Sequence, residues 1–367
     1  MRMKKLLTRL SLLILIIFMM GGSFYMGTKY NKEAGNTTVI PEKYSKIYEI
    51  LSDKWLNYND LENMDEEMLK GMVKGLNDPY TQYLTKEEAK SLYGALSDES
   101  YGIGVAINDS FIIEAVQMNS PAKNAGLQIG DKIVSINNEE IKDIDQLVEM
   151  ISSNECQDLS IQILRDNQYY TVNCSTVLED GTVLYDIMEN EDHTYGYLAI
   201  YSFGTNTPSK MEEAMIAFSE NDIKDLVIDL RYNPGGYVES AVECLGYLFG
   251  NDELVCVLTQ TDGKTTEFKT ENEEQYKYVN GYVLVSRYTA SAAEIFAGCL
   301  QEKLDYKLIG ENTYGKGIAQ IAYTFSDQSI LKYTYASWSL PSGKEIQGVG
   351  LEVDEEEDIQ LSNFYVG

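Results

Sequence analysis

Histidine is nearly absent from this chain. The 367-residue sequence contains one, His193, which closes the acidic segment Glu189 to His193. Most catalytic triads use a histidine as the general base, and a residue in such an acidic, linker-like segment is a poor candidate for that role. A hydrolase built on this chain therefore needs another base. A lysine with a buried amine is the natural alternative, because burial favours the uncharged amine.

Cysteine and basic residues are also scarce. The five cysteines are scattered, odd in number and without a Cys-x-x-Cys pair. We therefore expect buried free thiols rather than a disulfide framework, and neither a metal site nor a cofactor. Lysine and arginine number 29 against 58 aspartates and glutamates, which gives a net charge of −29. Such an acidic surface repels nucleic acid, so nucleic acid is not expected as a partner.

One long uncharged run stands near the start of the chain. Residues 1–9 are basic, and the 18 residues from Leu10 to Gly27 carry no charge, which is just long enough to span a bilayer. We predict a membrane anchor over residues 1–29 and a polar tether over residues 30–40. Positive charges before a span stay in the cytoplasm, so the expected location is the cell membrane, single-pass, with the rest of the chain extracytoplasmic. A cleaved signal peptide is the alternative, although no Ala-x-Ala site follows the run.

Residues 41–95 have the pattern of helices. Apolar residues recur at helical spacing over residues 44–55 and again over residues 68–76, which predicts two helices, each with an apolar face. Asn77-Asp78-Pro79 should end the second helix. Thr85-x-x-Glu88 has the spacing of a capping box and predicts the start of a third helix.

Residues 96–178 combine a glycine loop with a strong local motif. Successive N–H groups in Gly102-Ile103-Gly104-Val105 would form a concavity for a peptide carboxylate, and the strand that follows could accept the peptide by β-augmentation. This loop and SPAKNAGLQIGDKIVSINNEEI resemble a PDZ domain. We expect Asp131 to be a turn residue. Arg165 is expected as a solvated strand-end arginine, with contact to a bound carboxylate or to the catalytic domain as alternatives.

Residues 181–357 contain two strand–loop–helix units and a glycine-flanked lysine. Ser291 stands where a loop after an apolar strand turns into a helix, and free N–H groups at such a helix start favour a developing negative charge. A similar turn, residues 231–236, ends in two glycines and precedes another helix. Lys316 lies between two glycines, which allow a close bend of the backbone.

This combination resembles the C-terminal processing peptidases, which are tail-specific serine proteases. VLVSRYTASAAEIFAG and GENTYGKGIAQ match the family signature, although Thr289 and Ala293 replace its outer serines. The resemblance implies Ser291 as nucleophile, Lys316 as general base and Gln320 as its helper. It also implies an oxyanion hole formed by the N–H of Ala292 and an N–H of Gly235 or Gly236.

The expected fold is a multidomain α+β and α/β protein with an N-terminal helical region, a PDZ domain and a crotonase-like α/β serine protease core. The expected function is that of a tethered serine endopeptidase that recognises C-terminal peptide ends and cleaves near them. One alternative is a catalytically silent peptide-binding adaptor. Another is an acyl-CoA enzyme of the crotonase type, which has no use for a PDZ domain or an activated lysine. A homo-oligomer or a regulatory partner stays open.

Overall fold

The computed structural model describes residues 42–54, 64–94 and 99–357, apart from 109, 119, 154–156, 191–192 and 274. The anchor and tether predicted for residues 1–40 lie outside the described residues. The chain divides into two units between Met68 and Leu69. None of the helices in the described part of the chain has the length and apolar content needed to cross a membrane.

The described part of residues 41–95 contains three helices and one short strand, whereas the sequence predicts helices alone. The helices are α1 (Glu42–Lys54), α2 (Met64–Lys74) and α3 (Lys86–Gly94). The prediction is wrong at β1 (Gln82–Leu84), which pairs antiparallel with residues 330–332. A strand of three residues is too short to give a periodic signal, and its partner is distant in sequence. Two reciprocal bonds, of 2.8 and 3.2 Å, confirm the capping box of α3.

Residues 99–180 contain eight strands and two helices. A four-stranded antiparallel sheet has the order β6-β5-β7-β8, while β3 pairs with β4 and β2 with β9. Their apolar side chains form a buried core of their own. The elements are β2 (Glu99–Gly102), β3 (Val105–Ile107), β4 (Ile113–Val116), α4 (Pro121–Ala125), β5 (Lys132–Ile136), β6 (Glu139–Glu140), α5 (Ile144–Ser152), β7 (Asp158–Arg165), β8 (Gln168–Ser175) and β9 (Val177–Asp180).

An ion pair between the buried Asp131 and the partly exposed Arg165 holds the turn before β5. Arg165 donates to both carboxylate oxygens of Asp131 at 2.6 Å and to the carbonyl oxygen of Gly126 at 2.9 Å. Asp131 is fully buried and also accepts the Gln128 N–H at 2.9 Å. Asp131 is thus the turn residue that the sequence predicts. The prediction of a solvated Arg165 is wrong, because its guanidinium neutralises a carboxylate 34 positions earlier in the chain.

A six-stranded sheet forms the centre of residues 183–356. Its order is β10-β11-β12-β15-β16-β19; β10 and β11 are antiparallel, and every later pair is parallel. The central strands are continuous apolar runs, as expected for parallel strands that are buried on both faces. The strands are β10 (Val183–Asn190), β11 (His193–Ile200), β12 (Asp225–Asp229), β15 (Asn280–Val285), β16 (Lys307–Gly310) and β19 (Glu355–Glu356).

A second, antiparallel sheet contains β13 (Asn251–Gln260), β14 (Thr265–Glu271), β17 (Ile318–Thr324) and β18 (Ile330–Ser339) together with β1. β18 connects most of this sheet, because it pairs with β1, β13 and β17. Helices α6 (Thr207–Glu220), α7 (Val238–Phe249) and α8 (Ala292–Leu304) share one large buried core with both sheets.

The segment with the PDZ motifs packs against the six-stranded sheet. Ala115 of β4 belongs to a buried cluster with Leu184, Tyr197 and Leu284 of that sheet. An ion pair between Arg231 and Glu114, 3.5 Å apart, joins the same two parts. Elsewhere, Cys244, Cys256 and Cys299 are buried free thiols, as the sequence predicts, and Cys174 is buried as well.

Candidate active site

Three neighbouring parallel strands bring the predicted catalytic residues to one edge of the sheet. β12 lies beside β15, and β15 lies beside β16. The loops that follow these strands carry Gly235, Ser291 and Lys316, respectively. The carboxyl ends of parallel strands meet at the same edge, where ligand sites commonly form. Sheet topology therefore gathers residues that are distant in sequence.

The backbone of Ser291 has an unusual conformation at the start of α8. Its φ is 59° and its ψ is −122°. A positive φ is uncommon for a residue with a side chain and costs about 1–3 kcal/mol. The loop before it is fixed by the Thr289 hydroxyl, which donates to the Leu230 carbonyl at 2.8 Å, and by the Ala290 N–H, which donates to the Asn233 carbonyl at 3.1 Å. Ser291 is thus held beside the loop that follows β12.

Two adjacent glycines, Gly235 and Gly236, are closely packed, and Gly235 lies against Ser291. A Cβ added to Gly235 would stand 2.8 Å from the Ser291 Cβ, and one added to Gly236 would stand 2.4 Å from the Phe203 carbonyl oxygen. Their φ values are 109° and 143°, a region that favours glycine. Both positions therefore require glycine for two independent reasons.

The N–H groups near Ser291 differ in their hydrogen bonding. The Gly235 N–H donates to Asn233 Oδ1 at 2.8 Å. Within the described residues, the N–H groups of Gly236 and Ala292 have no partner. Ala292 is the first residue of α8, where an N–H has no intrahelical acceptor. Two unoccupied donors thus remain next to Ser291.

Backbone contacts on several sides hold the glycine turn around Lys316. The Lys316 carbonyl accepts the Trp338 indole N–H at 3.0 Å. The Gly317 N–H donates to Gln347 Oε1 at 2.8 Å, and the Gly315 carbonyl accepts the Gly348 N–H at 2.8 Å. The lysine backbone is therefore fixed by the segment near residue 347 and by β18.

A single buried carboxylate connects the serine with the lysine turn. Glu294 is fully buried, and its Oε2 accepts the N–H of Ser291 at 2.9 Å and the N–H of Lys316 at 2.8 Å. Its Oε1 accepts the Thr313 hydroxyl at 2.6 Å and the Gly315 N–H at 2.7 Å. Charge-assisted bonds of this kind are roughly twice as strong as neutral ones. Glu294 therefore sets the spacing between the two backbones.

Ser291, Lys316 and Gln320 line one cavity of about 400 Å³. Its other walls are largely apolar or aromatic. One carboxylate, that of the exposed Glu239, and a second amine, that of Lys332, also belong to the lining. The apolar and aromatic walls include Leu258, Phe268, Ile318, Ile321, Tyr335 and Trp338.

The surroundings of Lys316 lower its pKa below the ordinary value of 10.5. Burial is the largest cause, and the nearby Lys332 ammonium adds to it by repulsion. The negative charge of Glu294 acts in the opposite direction and raises the pKa. The Lys316 Nζ also lies 5.2 Å from the centroid of the Tyr80 ring, a contact that favours the charged amine. The net effect is an amine that loses its proton more readily than a free lysine.

Gln320 and His193 differ in their relation to this cavity. Gln320 lies on β17, and its Nε2 is buried without a hydrogen-bond partner in the described part of the chain. His193 begins β11, where the sequence predicts a linker; it is exposed and does not line the cavity. Nowhere among the described residues do three or more His, Cys, Asp or Glu side chains cluster as a metal site would require.

The predicted peptide-binding residues line a separate groove of about 420 Å³. Gly102, Ile103, Gly104 and Val105 form one wall, and side chains of α5 form the opposite wall. Gly104 has a φ of 76°, and an added Cβ would lie 2.3 Å from the Ser120 Cβ. Val183, Leu184 and Tyr201, from the six-stranded sheet and the residue after β11, also face this groove.

Several residues that build the site received no role from the sequence. Each of them either makes a buried hydrogen bond within the site or lines the cavity, and neither property can be recognised from the local sequence. Glu294 had a usable signal, because Ser291-x-x-Glu294 has the spacing of a capping box. Asn233 stands in the turn at residues 231–236, but the sequence assigns no role to its side chain, which accepts the Gly235 N–H. Thr313, Lys332 and Trp338 carried no signal, because the site residues that they lie beside are distant in sequence.

Three protein families match consecutive parts of the chain. Residues 194–357 match the peptidase family S41, and residues 112–165 match the PDZ domain. Residues 22–88 match the N-terminal domain of the activating protease CtpB.

Curated relatives agree with these matches. The "Probable CtpA-like serine protease" of Staphylococcus aureus (strain COL) is 30% identical over 320 residues, which cover 85% of this chain and 64% of that protein. The protein of the same name from Staphylococcus haemolyticus (strain JCSC1435) is 30% identical over 321 residues, with the same coverage. The chain thus spans about 64% of the length of these relatives.

Two solved structures share the fold at low sequence identity. The photosystem II D1 C-terminal processing protease matches with a TM-score of 0.50 and 20% identity, covering 86% of each chain. A putative S41 protease from Bacteroides fragilis matches with a TM-score of 0.53 and 20% identity, covering 85% of this chain and 90% of the other. These matches confirm the predicted multidomain α/β fold with a PDZ domain. The chain contains a peptidase family S41 domain at residues 194–357 and a PDZ domain at residues 112–165, and this combination fits the C-terminal processing peptidase family.

Proposed function

We propose that this protein is a serine endopeptidase with a Ser291–Lys316 dyad. One observation carries the proposal: a buried carboxylate, Glu294, binds the backbone N–H groups of both residues, and both residues line the same cavity. The lowered pKa of Lys316 supports the role of a base, because a serine hydroxyl needs an acceptor that is partly unprotonated near neutral pH.

In the proposed reaction, Ser291 Oγ attacks the scissile carbonyl carbon while the Lys316 amine accepts the hydroxyl proton. The C–N bond then breaks, and the lysine returns the proton to the leaving amine. Water, activated by the same amine, releases the acyl group from Ser291. Gln320 lines the same cavity and adds no charge, and its amide oxygen would orient the amine by accepting one of the amine N–H groups.

We assign the oxyanion hole to the N–H groups of Gly236 and Ala292. Both lack a partner in the described residues, whereas the Gly235 N–H already donates to Asn233. Gly235 instead allows the close approach to Ser291. One oxyanion donor typically contributes about 3 kcal/mol of transition-state stabilisation. The start of α8 adds the positive end of a helix dipole at the same place.

The PDZ groove is proposed to capture the C-terminal end of a protein substrate. Gly102 to Val105 and α5 frame a groove of the right kind for an extended peptide, and an anchored end raises the effective concentration of nearby backbone at Ser291. We also propose that residues 1–29 tether the chain to the cell membrane with the catalytic part outside the cytoplasm, on the grounds of the uncharged run and the basic residues before it.

A comparison of Ser291→Ala with the wild-type chain tests this function. Proteolysis of a protein with an unstructured C-terminus should disappear, while binding of a C-terminal peptide, measured by fluorescence anisotropy, should be unchanged. Proteolysis that persists in the variant would contradict the assignment. A wild-type chain that binds the peptide but cleaves nothing would favour the adaptor.

A further inference from the structure

The active-site cavity contains a second amine that the proposed chemistry does not use. Lys332 lies on β18 and lines the same cavity as Ser291 and Lys316. It is partly buried, and no hydrogen bond or ion pair joins its amine to another described residue. Among the described residues that line the cavity, Glu239 alone carries a carboxylate, and it is exposed.

A partly buried, unpaired ammonium is unfavourable, particularly in a chain with a net charge of −29, where acidic partners are plentiful. Apart from the proposed base Lys316, several buried or partly buried basic side chains among the described residues are paired: Arg231 with Asp229, Arg165 with Asp131 and Lys303 with Glu253. An amine that stays unpaired inside a substrate cavity is available to a group that enters the cavity with the substrate.

We propose that Lys332 is a specificity-determining residue that binds a carboxylate of the substrate. This inference rests on the proposed peptidase function. The carboxylate belongs either to an aspartate or glutamate side chain near the scissile bond or to the C-terminal end of the chain being cut.

Strand register gives the approximate place of this carboxylate. Lys332 pairs with Ala322 of β17, and Thr334 pairs with Gln320, which lies beside the dyad in the cavity wall. Two residues along a strand correspond to roughly 7 Å. For an extended substrate that runs along β17, the carboxylate would therefore lie about two residues from the scissile bond.

Binding at Lys332 would also affect the base. The Lys332 ammonium repels a proton on Lys316, and the groups that face Lys316 besides it are Glu294 and the Tyr80 ring. A substrate carboxylate paired with Lys332 would cancel part of this repulsion. We therefore expect the carboxylate to improve binding more than it improves the rate of the chemical step.

The test compares ratios of kcat/KM within each form of the full chain. Matched peptides carry Glu, Gln or Lys about two residues from the scissile bond, and a second set has neutral residues with a free or an amidated C-terminus. For the wild type we expect kcat/KM to be about 10-fold higher for the peptide with the carboxylate in one of the two sets. This factor corresponds to the free energy of one charge-assisted hydrogen bond. Lys332→Met should reduce that ratio of kcat/KM to about 1. Lys332→Glu should make the Lys peptide a better substrate than the Glu peptide.

The two sets distinguish the source of the carboxylate, and controls separate other causes. If Lys332→Met abolishes the preference for the Glu peptide over the Gln peptide, the carboxylate belongs to a substrate side chain. If it abolishes the preference for the free acid over the amide, the carboxylate belongs to the C-terminal end of the substrate. A free-acid preference that comes from the PDZ groove alone would survive in Lys332→Met. Lys303→Met, which removes a partly buried lysine at the far end of α8, should change neither ratio. If Lys332→Met lowers the melting temperature, Lys332→Gln repeats the test with a polar side chain.

Ratios that are the same in wild type and Lys332→Met would overturn this inference and leave the proposed function intact, because all peptides would still be cleaved. A wild-type chain that cleaves none of the peptides would refute the proposed function, and this inference with it.

Discussion

Glu294→Gln is the substitution whose consequences follow most directly from the geometry of the site. The carboxylate is fully buried and accepts four hydrogen bonds, from Ser291, Thr313, Gly315 and Lys316. A glutamine of the same shape keeps one oxygen acceptor and turns an NH₂ group toward the other pair of donors. The variant should therefore lose two of the four bonds and leave two buried donors facing another donor.

The expected magnitude follows from these bonds. A hydrogen bond to a charged group contributes about 1.5–3 kcal/mol, so the loss of two predicts a decrease in the free energy of unfolding of about 3–6 kcal/mol. A domain with ordinary stability survives such a loss. A shift of the serine or lysine backbone by about 1 Å can lower the rate 100-fold, and we expect kcat/KM to fall by about that factor.

The pH dependence of kcat/KM distinguishes two roles of Glu294: it positions the backbones of Ser291 and Lys316, and it places a negative charge near the lysine amine. Glu294 raises the pKa of Lys316, so its neutralisation should move the acid limb of the kcat/KM profile to lower pH even as the rate falls. Thr313→Val is the matched control: it removes one bond to the same carboxylate and keeps the charge, so the acid limb should stay in place. A rate in Glu294→Gln within twofold of the wild type, or an acid limb that does not move, would refute this reasoning.

Three further predictions concern separate parts of the chain. Gly236→Ala should abolish cleavage and lower the melting temperature, because the new Cβ would lie 2.4 Å from a backbone oxygen. Gly71→Ala is the control and should do neither, because there is open space around Gly71. Equal effects of the two substitutions would contradict the packing argument. Asp131→Ala should lower the free energy of unfolding by about 3–5 kcal/mol in urea titrations, since it leaves Arg165 without its counter-charge; a loss below 1 kcal/mol would show that the pair is dispensable. In the wild type, kcat/KM should rise with pH through the pKa of Lys316, below 10.5, because only the uncharged amine accepts a proton; a rate that falls over this range would exclude the lysine.

Much of the fold can be predicted because local sequence patterns indicate the strands and helices, and the parallel sheet then determines where their loops lie. The helix that the sequence predicts after the glycine turn at residues 231–236 is present at Val238–Phe249. Continuous apolar runs at Leu226 and Val283 predict buried parallel strands, and a parallel sheet places the following loops at one edge. The predicted residues Ser291 and Lys316 therefore meet at one cavity without any local signal that joins them.

The parts that sequence reasoning missed depend on distant partners. The strand Gln82–Leu84 exists because residues 330–332 provide its pairing edge, and a pattern of three residues cannot indicate this. The sequence predicts Arg165 in solvent because its partner, Asp131, lies 34 positions earlier in the chain, in the turn before β5. The place of Lys332 in the active-site cavity likewise depends on strand register, which a single sequence does not encode locally.

The central claim is that the Lys316 amine is uncharged when it accepts the Ser291 proton. It is tested most directly by NMR titration of the wild-type chain labelled with ¹³C at the lysine Cε, with the Lys316 and Lys332 signals assigned from Lys316→Arg and Lys332→Met. We predict that Lys316 titrates below 10.5 and that its pKa coincides with the acid limb of kcat/KM. A Lys316 signal that titrates at or above 10.5 while the protein cleaves peptides at neutral pH would contradict the account.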